Sequence, residues 1–67
     1  MNKQRLKGYA ILNGDTLFEL ANKIGISKSS MSERLQNRRE FTAREISKIM
    51  ELYKLSPEEV VEIFLRK

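Results

Sequence analysis

Residues 16–36 read TLFELANKIGISKSSMSERLQ, two helical patterns separated by one glycine. In the first pattern, apolar residues recur at helical spacing as far as Ile24. In the second, Met31 and Leu35 form an i,i+4 apolar pair and can face the same side. Gly25 lies between the patterns and can adopt a left-handed backbone conformation at little cost, which ends a helix and turns the chain. The stretch therefore predicts two short helices joined by a tight turn.

Helix-start signals predict further helices outside this stretch. A Ser or Thr followed three residues later by Glu can close a capping box, because each side chain bonds the backbone N–H of the other. The pairs with this spacing are Thr16 with Glu19, Thr42 with Glu45, and Ser56 with Glu59, the last including Pro57. Residues 3–12 form another helical segment, which ends before the turn dipeptide Asn13-Gly14. The sequence shows no strand-like alternation, so we expect one all-α domain of five helices over residues 1–67.

Cysteine and histidine are both absent from the 67 residues. Their absence removes disulfides, thiolate ligands, the commonest metal ligand and the commonest general base. The sequence also lacks a glycine-rich phosphate loop, so we expect no enzyme activity, no cofactor and no metal site. No apolar run approaches the roughly 20 residues that span a bilayer, and no signal-peptide apolar region is present. We therefore expect a cytoplasmic protein without a membrane or small-molecule partner.

Positive charge is concentrated in the first part of the chain. The whole sequence carries a formal net charge of +4. Residues 1–39 hold eight Lys or Arg against three acidic residues, a balance of +5, whereas residues 40–67 hold five against six, a balance of −1. This asymmetry favours a polyanionic partner such as nucleic acid. Many small basic proteins bind no nucleic acid, so charge alone leaves the partner open.

Several positions of the two-helix stretch match a known family. Leu20-Ala21, Ile24-Gly25-Ile26-Ser27 and Met31, after a first helix ending at Gly14, resemble the lambda-repressor-like (Cro/repressor, Xre-type) helix-turn-helix domain. A narrower similarity, to small regulators of phages and prophages of Gram-positive bacteria, rests on residues 13–16, 41–42, 45–46, 53–59 and 63–64. The resemblance implies five helices, the third of which lies in the major groove of DNA. It also implies a sequence-specific transcriptional regulator, such as a repressor, that binds operator DNA as a two-fold homodimer.

One face of the third helix turns away from its apolar pair. At about 3.6 residues per turn, the side chains that project to that face are Ser29, Ser32, Glu33 and Gln36. The resemblance implies base contacts for Lys28, Ser29 and Glu33, with Ser32 assisting. A lysine can donate to guanine O6 and N7, a serine can pair with several bases, and a glutamate can accept from cytosine N4. The alternative for Ser32 and Glu33 is an ordinary solvated helix face.

Residues around the third helix are candidates for phosphate contacts, which position a protein on DNA without specifying sequence. The set comprises Thr16, Ser27, Arg34, Asn37, Arg38 and Arg39. Thr16 would act through the N-terminus of the second helix, where backbone N–H groups and the positive dipole end favour anions. Three basic residues of the first helix extend this set: Lys3, Arg5 and Lys7. The alternative for Arg38 and Arg39 is a solvated charged loop.

A few positions depart from the family pattern. Leu17 replaces a polar residue that commonly touches phosphate, and leucine cannot make that contact. Asp15 occupies a position that is often apolar, which predicts different packing between the first two helices. Arg34 replaces a hydrophobic residue and Leu35 follows it, so we expect the end of the third helix to tilt differently. Leu17 and Phe18 are adjacent and cannot both face the core centre, so one should be partly exposed, although core filling is the commoner explanation for each.

Alternative interpretations stay open at this point. The two-helix stretch also fits an ordinary αα-hairpin, since helix-turn-helix patterns are short and degenerate. The domain could instead be a helix-turn-helix-derived protein-interaction module, such as an antirepressor, that has lost DNA affinity. The last helix is more apolar than one buried face needs, with Val60, Val61, Ile63, Phe64 and Leu65. This run fits a homodimer surface and fits core packing equally well.

Overall fold

Residues 1–65, which are the ones that the computed structural model describes, form five α-helices in the predicted order. These are α1 (Lys3–Leu12), α2 (Leu17–Ile24), α3 (Lys28–Leu35), α4 (Ala43–Tyr53) and α5 (Pro57–Val60), and α5 continues into a π-helical turn, Val61–Leu65. No strand is present among these residues, so the all-α prediction is confirmed. The Cα radius of gyration of 10.6 Å agrees with the value of about 10.9 Å for a compact chain of this length. Arg66 and Lys67, the end of the predicted domain, lie outside the described residues.

Hydrogen bonds at the helix starts explain where the helices begin. At α2, the Thr16 hydroxyl accepts from the Glu19 N–H at 3.1 Å, and the Glu19 carboxylate accepts from the Thr16 N–H at 2.8 Å. The same reciprocal bonds begin α4 and α5, so all three predicted capping boxes are confirmed. At α3, the Ser27 hydroxyl accepts from the Ser30 N–H at 3.1 Å. The helix boundaries are therefore set by local chemistry.

The apolar core draws on elements along the whole described chain. Its buried members are Leu6, Ala10, Leu20, Ala21, Ile24, Met31, Ile49, Tyr53, Leu55 and Ile63. The largest side chains with no exposure come from α1, α2, α3, α4 and the π-helical turn, one from each. Burial of each such side chain contributes about 1.5–3 kcal/mol, so every one of these elements is needed for a stable core. Among residues 1–65, no helix has both the length and the apolar character to cross a membrane.

Asp15 is buried where the chain passes from α1 to α2, and its carboxylate has two side-chain donors. The Lys23 ammonium donates to one oxygen at 2.7 Å, and the Tyr53 hydroxyl donates to the other at 2.7 Å. The bond from Lys23, followed by that from Tyr53, holds the pKa of Asp15 below its usual value. The bonds therefore link α4 to α2 through the turn between α1 and α2.

Acid is expected to destabilise the fold through Asp15 and through Glu45 on α4. The pKa values of both carboxyl groups are lowered in the folded protein, so the unfolded chain takes up protons more readily. The free energy of unfolding should be level near neutral pH, begin to fall below about pH 5, and fall until the pH passes below the folded pKa values. Urea unfolding at a series of pH values checks this, alongside the double variant Asp15→Asn, Glu45→Gln. An equally steep decline in that variant would contradict the assignment.

The two ends of the described chain are tied together. The N–H of Asn2 donates to the carbonyl of Ile63 at 2.6 Å, and the Tyr9 hydroxyl donates to the Glu59 carboxylate at 2.6 Å.

The apolar run of the last helix divides around Ile63, which is completely buried. Its partly buried members are Val60 and Phe64, and its exposed members are Val61 and Leu65. Part of the run therefore fills the core and part faces solvent.

Replacement of Gly25 by alanine is expected to lower the free energy of unfolding by about 1–2 kcal/mol, because its φ of +81° is unfavourable for a residue with a Cβ. Space is not the reason, since the nearest atom to an added Cβ, the Nζ of Lys48, would be 4.0 Å away. Thermal or urea unfolding of the variant measures the change.

Gly8 provides the control, because it lies inside α1 with nothing within 4 Å of an added Cβ. Gly8→Ala should stabilise the protein by about 0.5–1 kcal/mol through the helix propensity of alanine. Equal effects of the two substitutions would contradict the conformational role of Gly25.

Candidate nucleic-acid interface

The turn between α2 and α3 holds one face of α3 outward. Gly25 takes its left-handed conformation at the end of α2, and the Ile26 N–H donates to the Ala21 carbonyl at 3.0 Å. This bond closes the C-terminus of α2 before α3 begins two residues later. Met31 on α3 is completely buried against the core. The face of α3 opposite Met31 therefore points away from the core.

The four predicted base-contacting residues lie together on this outer face. Lys28, Ser29, Ser32 and Glu33 line one shallow depression of about 390 Å³, together with Gln36, Arg38 and the α2 residue Phe18. Lys28, Ser29 and Glu33 are exposed, and Ser32 is half-buried. The amide of Gln36 donates to the Ser32 hydroxyl at 3.2 Å. The depression thus presents ammonium, hydroxyl, carboxylate and amide groups side by side on one helix.

Phe18 is the residue of this depression that sequence reasoning missed. Its side chain is 44% exposed, whereas its neighbour Leu17 is half-buried and packs against the core. The Lys28 ammonium lies 5.7 Å from the centre of the Phe18 ring, which is within the range of a cation–π interaction. The adjacent pair in the sequence was a signal that one of the two faces outward, and the structure shows that it is Phe18.

Basic residues of α1 extend the surface on the other side of α3. Lys3 and Lys7 line a second depression of about 390 Å³ that also includes Ser32 and Gln36 of the α3 segment. Arg5 points elsewhere, because its guanidinium lies 3.4 Å from the carboxylate of Glu62 in the π-helical turn Val61–Leu65. The structure therefore groups only the first and last of the three α1 cations with α3.

Arg34 corrects the sequence interpretation, because the structure buries it instead of presenting it to phosphate. Its side chain is 7% exposed, and two of its nitrogens donate to the two Glu45 carboxylate oxygens, each at 2.9 Å. A third nitrogen donates to the Ser30 carbonyl at 2.9 Å, and the guanidinium carbon lies 5.8 Å from the centre of the Phe41 ring. The structure therefore places the Arg34 guanidinium inside the fold, and our proposal does not include it among the phosphate contacts.

Burial and hydrogen bonding have opposite effects on the pKa of Glu45, the ion-pair partner of Arg34. Burial alone would raise the pKa of Glu45, but the hydrogen bonds from Arg34 and from Thr42 outweigh it and lower the pKa. The carboxylate therefore stays charged at neutral pH and serves two elements at once, since it closes the capping box of α4 and binds α3. The buried Arg34 guanidinium is stabilised by this ion pair.

The loop after α3 begins with a helix-terminating turn at Asn37. Its φ is +59°, its N–H donates to the Arg34 carbonyl at 3.1 Å, and the Arg38 N–H donates to the Glu33 carbonyl at 2.9 Å. These two bonds form a Schellman motif, in which asparagine tolerates the left-handed conformation better than most residues. Arg38 then lines the α3 depression, whereas Arg39 lines a separate hollow of about 210 Å³ beside the π-helical turn.

The N-termini of α2 and α3 differ in what they offer an anion. Thr16 and Ser27 are both exposed N-caps, as a phosphate contact requires. At α2, however, the Glu19 carboxylate already occupies the Thr16 N–H and places a negative charge in the first turn. The first turn of α3 holds no acidic residue, so its positive dipole end is not offset in this way. In the described part of the chain, no group of His, Cys, Asp or Glu is placed to hold a metal ion.

A protein-family model spans nearly the whole chain. The model is described as "Protein of unknown function (DUF739)" and matches residues 2–67. Comparison with curated proteins gave no match, and comparison with solved structures gave none. Because the family match covers every residue but the first, the chain belongs to the DUF739 family.

Proposed function

We propose that this protein is a sequence-specific, double-stranded DNA-binding transcriptional regulator of lambda-repressor-like type, in which α2 and α3 form a helix-turn-helix. In this proposal α3 enters the major groove, whose width of about 12 Å admits an α-helix. The observation that carries the proposal is the shared depression of Lys28, Ser29, Ser32 and Glu33 on the outer face of α3. Side-chain donors and acceptors gathered on one helix face match the chemistry of base edges in that groove.

The distribution of cations supports an anionic partner on the same side. Lys3 and Lys7 line the depression on one side of α3, and Lys28 and Arg38 line the depression on the other. DNA phosphates lie along both edges of the major groove, so cations flanking a groove-bound helix can neutralise them. In our proposal these phosphate contacts come from Lys3, Lys7, Arg38 and Arg39, with Thr16, Ser27 and Asn37 as neutral donors.

Selection of bound sequences from a random duplex library tests the proposed function. The enriched site is then compared with random DNA by gel shift at two salt concentrations. An enriched pseudo-palindrome is the expected result, and its half-site spacing reports the geometry of a two-fold dimer. Salt-sensitive binding without an enriched sequence would reduce the protein to a non-specific DNA binder. Failure to bind any duplex near physiological salt would overturn the proposal.

Lys28→Ala is expected to weaken binding to the selected site by about 1–3 kcal/mol and to relax preference at one base pair. The reason is that lysine donates to guanine, whereas alanine leaves that base without a protein partner. Repeating the selection with the variant and comparing the two motifs measures the change. An equal loss on selected and random DNA would contradict the base-reading role of Lys28.

A two-fold homodimer is part of the proposal, and the π-helical turn Val61–Leu65 offers apolar surface for it. Val61 is 38% exposed and Leu65 is 70% exposed. They lie four residues apart in the π-helical turn, and Ile63 between them is committed to the core. A regulator of this type, encoded by a phage or prophage, would act in the cytoplasm of a bacterial host by occupying its operator.

A protein-interaction module, such as an antirepressor, is the second candidate function. It is favoured by the apolar residues at the end of α1, where Ile11 is 62% exposed and Leu12 is 81% exposed. Such residues suit a protein partner, whereas DNA would contact the cations of α1 and α3. Retention on a DNA-cellulose column, reversed by salt, favours the regulator, and passage through the column favours the interaction module.

A further inference from the structure

The depression on the outer face of α3 contains one apolar side chain. Phe18 lines it together with six residues that are all polar or charged: Lys28, Ser29, Ser32, Glu33, Gln36 and Arg38. The same ring also borders the surface on the other side of Lys28, next to Thr16 and Asn22. Phe18 therefore lies at the junction between the start of α2 and the start of α3.

Core packing does not account for the position of Phe18. Its ring is 44% exposed, and the partly buried side chain that packs on the core from this turn is Leu17. The ring does contact the Lys28 ammonium, at 5.7 Å from the ring centre. Much of its apolar area remains in water in the free protein, and burial of that area against a ligand would be favourable.

The DNA major groove offers one apolar group on its base edges, the C5 methyl of thymine, and phenylalanine is among the side chains that contact it. We infer that Phe18 is a specificity-determining residue that contacts the methyl group of a thymine next to the base pair read by Lys28. This inference rests on the proposed function, because it requires α3 in the major groove. The aromatic ring on α2 then supplies a contact that the polar side chains of α3 cannot make.

Replacement of single thymines by uracil tests the inference, since uracil lacks only the methyl group. Each thymine of the selected site is replaced in turn, and the dissociation constant is measured for the unchanged protein and for Phe18→Ala. We expect one position per half-site at which uracil weakens binding of the unchanged protein roughly fourfold, the effect of burying one methyl-sized group. At that position uracil should not weaken the binding of Phe18→Ala.

Two further variants sharpen the experiment. Leu12→Ala removes an apolar side chain that is 81% exposed and lies outside the depression, so this variant should keep the full uracil effect. Phe18→Leu retains an apolar side chain and should keep part of the effect. Circular dichroism of each variant shows that it is folded, which the exposure of both positions leads us to expect.

The outcomes separate the inference from the proposed function. An unchanged uracil effect in Phe18→Ala overturns the inference and leaves sequence-specific binding intact. A change confined to the base pair that Lys28→Ala also relaxes overturns it in favour of a residue that only positions Lys28. Failure of the unchanged protein to bind any duplex overturns both proposals together.

Discussion

Replacement of Arg34 by alanine is expected to lower the free energy of unfolding by about 3–5 kcal/mol, because it leaves the Glu45 carboxylate partly buried without its ion-pair partner. The Arg34 and Glu45 side chains are 7% and 13% exposed, so water can replace the lost bonds only in part. A chain of 67 residues is stable by only about 3–10 kcal/mol. Much of the variant should therefore be unfolded at physiological temperature, which urea unfolding followed by circular dichroism measures.

A comparison of two further variants identifies the source of this loss. Arg34→Met fills the space with an apolar side chain but still strands the charge, whereas adding Glu45→Gln removes the charge and keeps a capping box at Thr42. The double variant should therefore be more stable than Arg34→Met alone. Arg44→Ala, at an exposed arginine of α4, is the control and should change stability by no more than about 0.5 kcal/mol. A small effect of Arg34→Ala, comparable to this control, would contradict the structural role of the ion pair.

The affinity of the protein for DNA is expected to fall steeply with salt. Four cations, Lys3, Lys7, Arg38 and Arg39, are proposed to neutralise phosphates in each protomer. At about 0.9 per phosphate, the slope of log affinity against log salt is about −3.6 for each bound protomer and about −7.2 for the proposed two-fold dimer, which is a loss of roughly 150-fold per protomer and roughly 20,000-fold for the dimer between about 50 and 200 mM salt. Arg34 does not enter this sum because its charge is paired inside the fold. Gel shifts or fluorescence anisotropy over a salt series measure the slope.

Arg38→Ala should reduce the magnitude of this slope by about 0.9 per protomer, or about 1.8 for the dimer, and weaken binding to selected and random DNA alike. Lys54→Gly is the charge-matched control, since it also removes one positive charge. Lys54 ends α4 with a φ of +53°, a conformation that glycine adopts readily, so this variant should fold at least as well as the unchanged protein. Its salt slope should stay unchanged. Equal changes in the two variants would indicate a general charge effect and contradict a phosphate contact by Arg38.

The sequence by itself determined where the helices begin, whereas the π-helical turn Val61–Leu65 at the end of the last helix was not predicted. The Thr16 and Thr42 capping boxes and the left-handed turn at Gly25 appear in the structure at the predicted residues. Their partners are at most five residues apart in the chain, so the local sequence alone decides which groups pair once the helices form. The outer face of α3 was predictable for the same reason, because burial of Met31 and the helical period together decide which side chains point away.

Only the tertiary structure decided whether each of three side chains is buried or exposed: Asp15, Phe18 and Arg34. Arg34 turns inward because Glu45, on another helix, supplies both acceptors, and Asp15 is buried because Tyr53, 38 residues away, donates to it. Phe18 faces outward because Leu17 takes the place against the core. Whether a charged or apolar side chain is buried depends on the residues that it contacts. For Arg34 and Asp15, such residues lie on α4. Helical spacing alone therefore separates an inner face from an outer one, but the packing of α3 against α4 and α2 decides which residues at the boundary remain exposed.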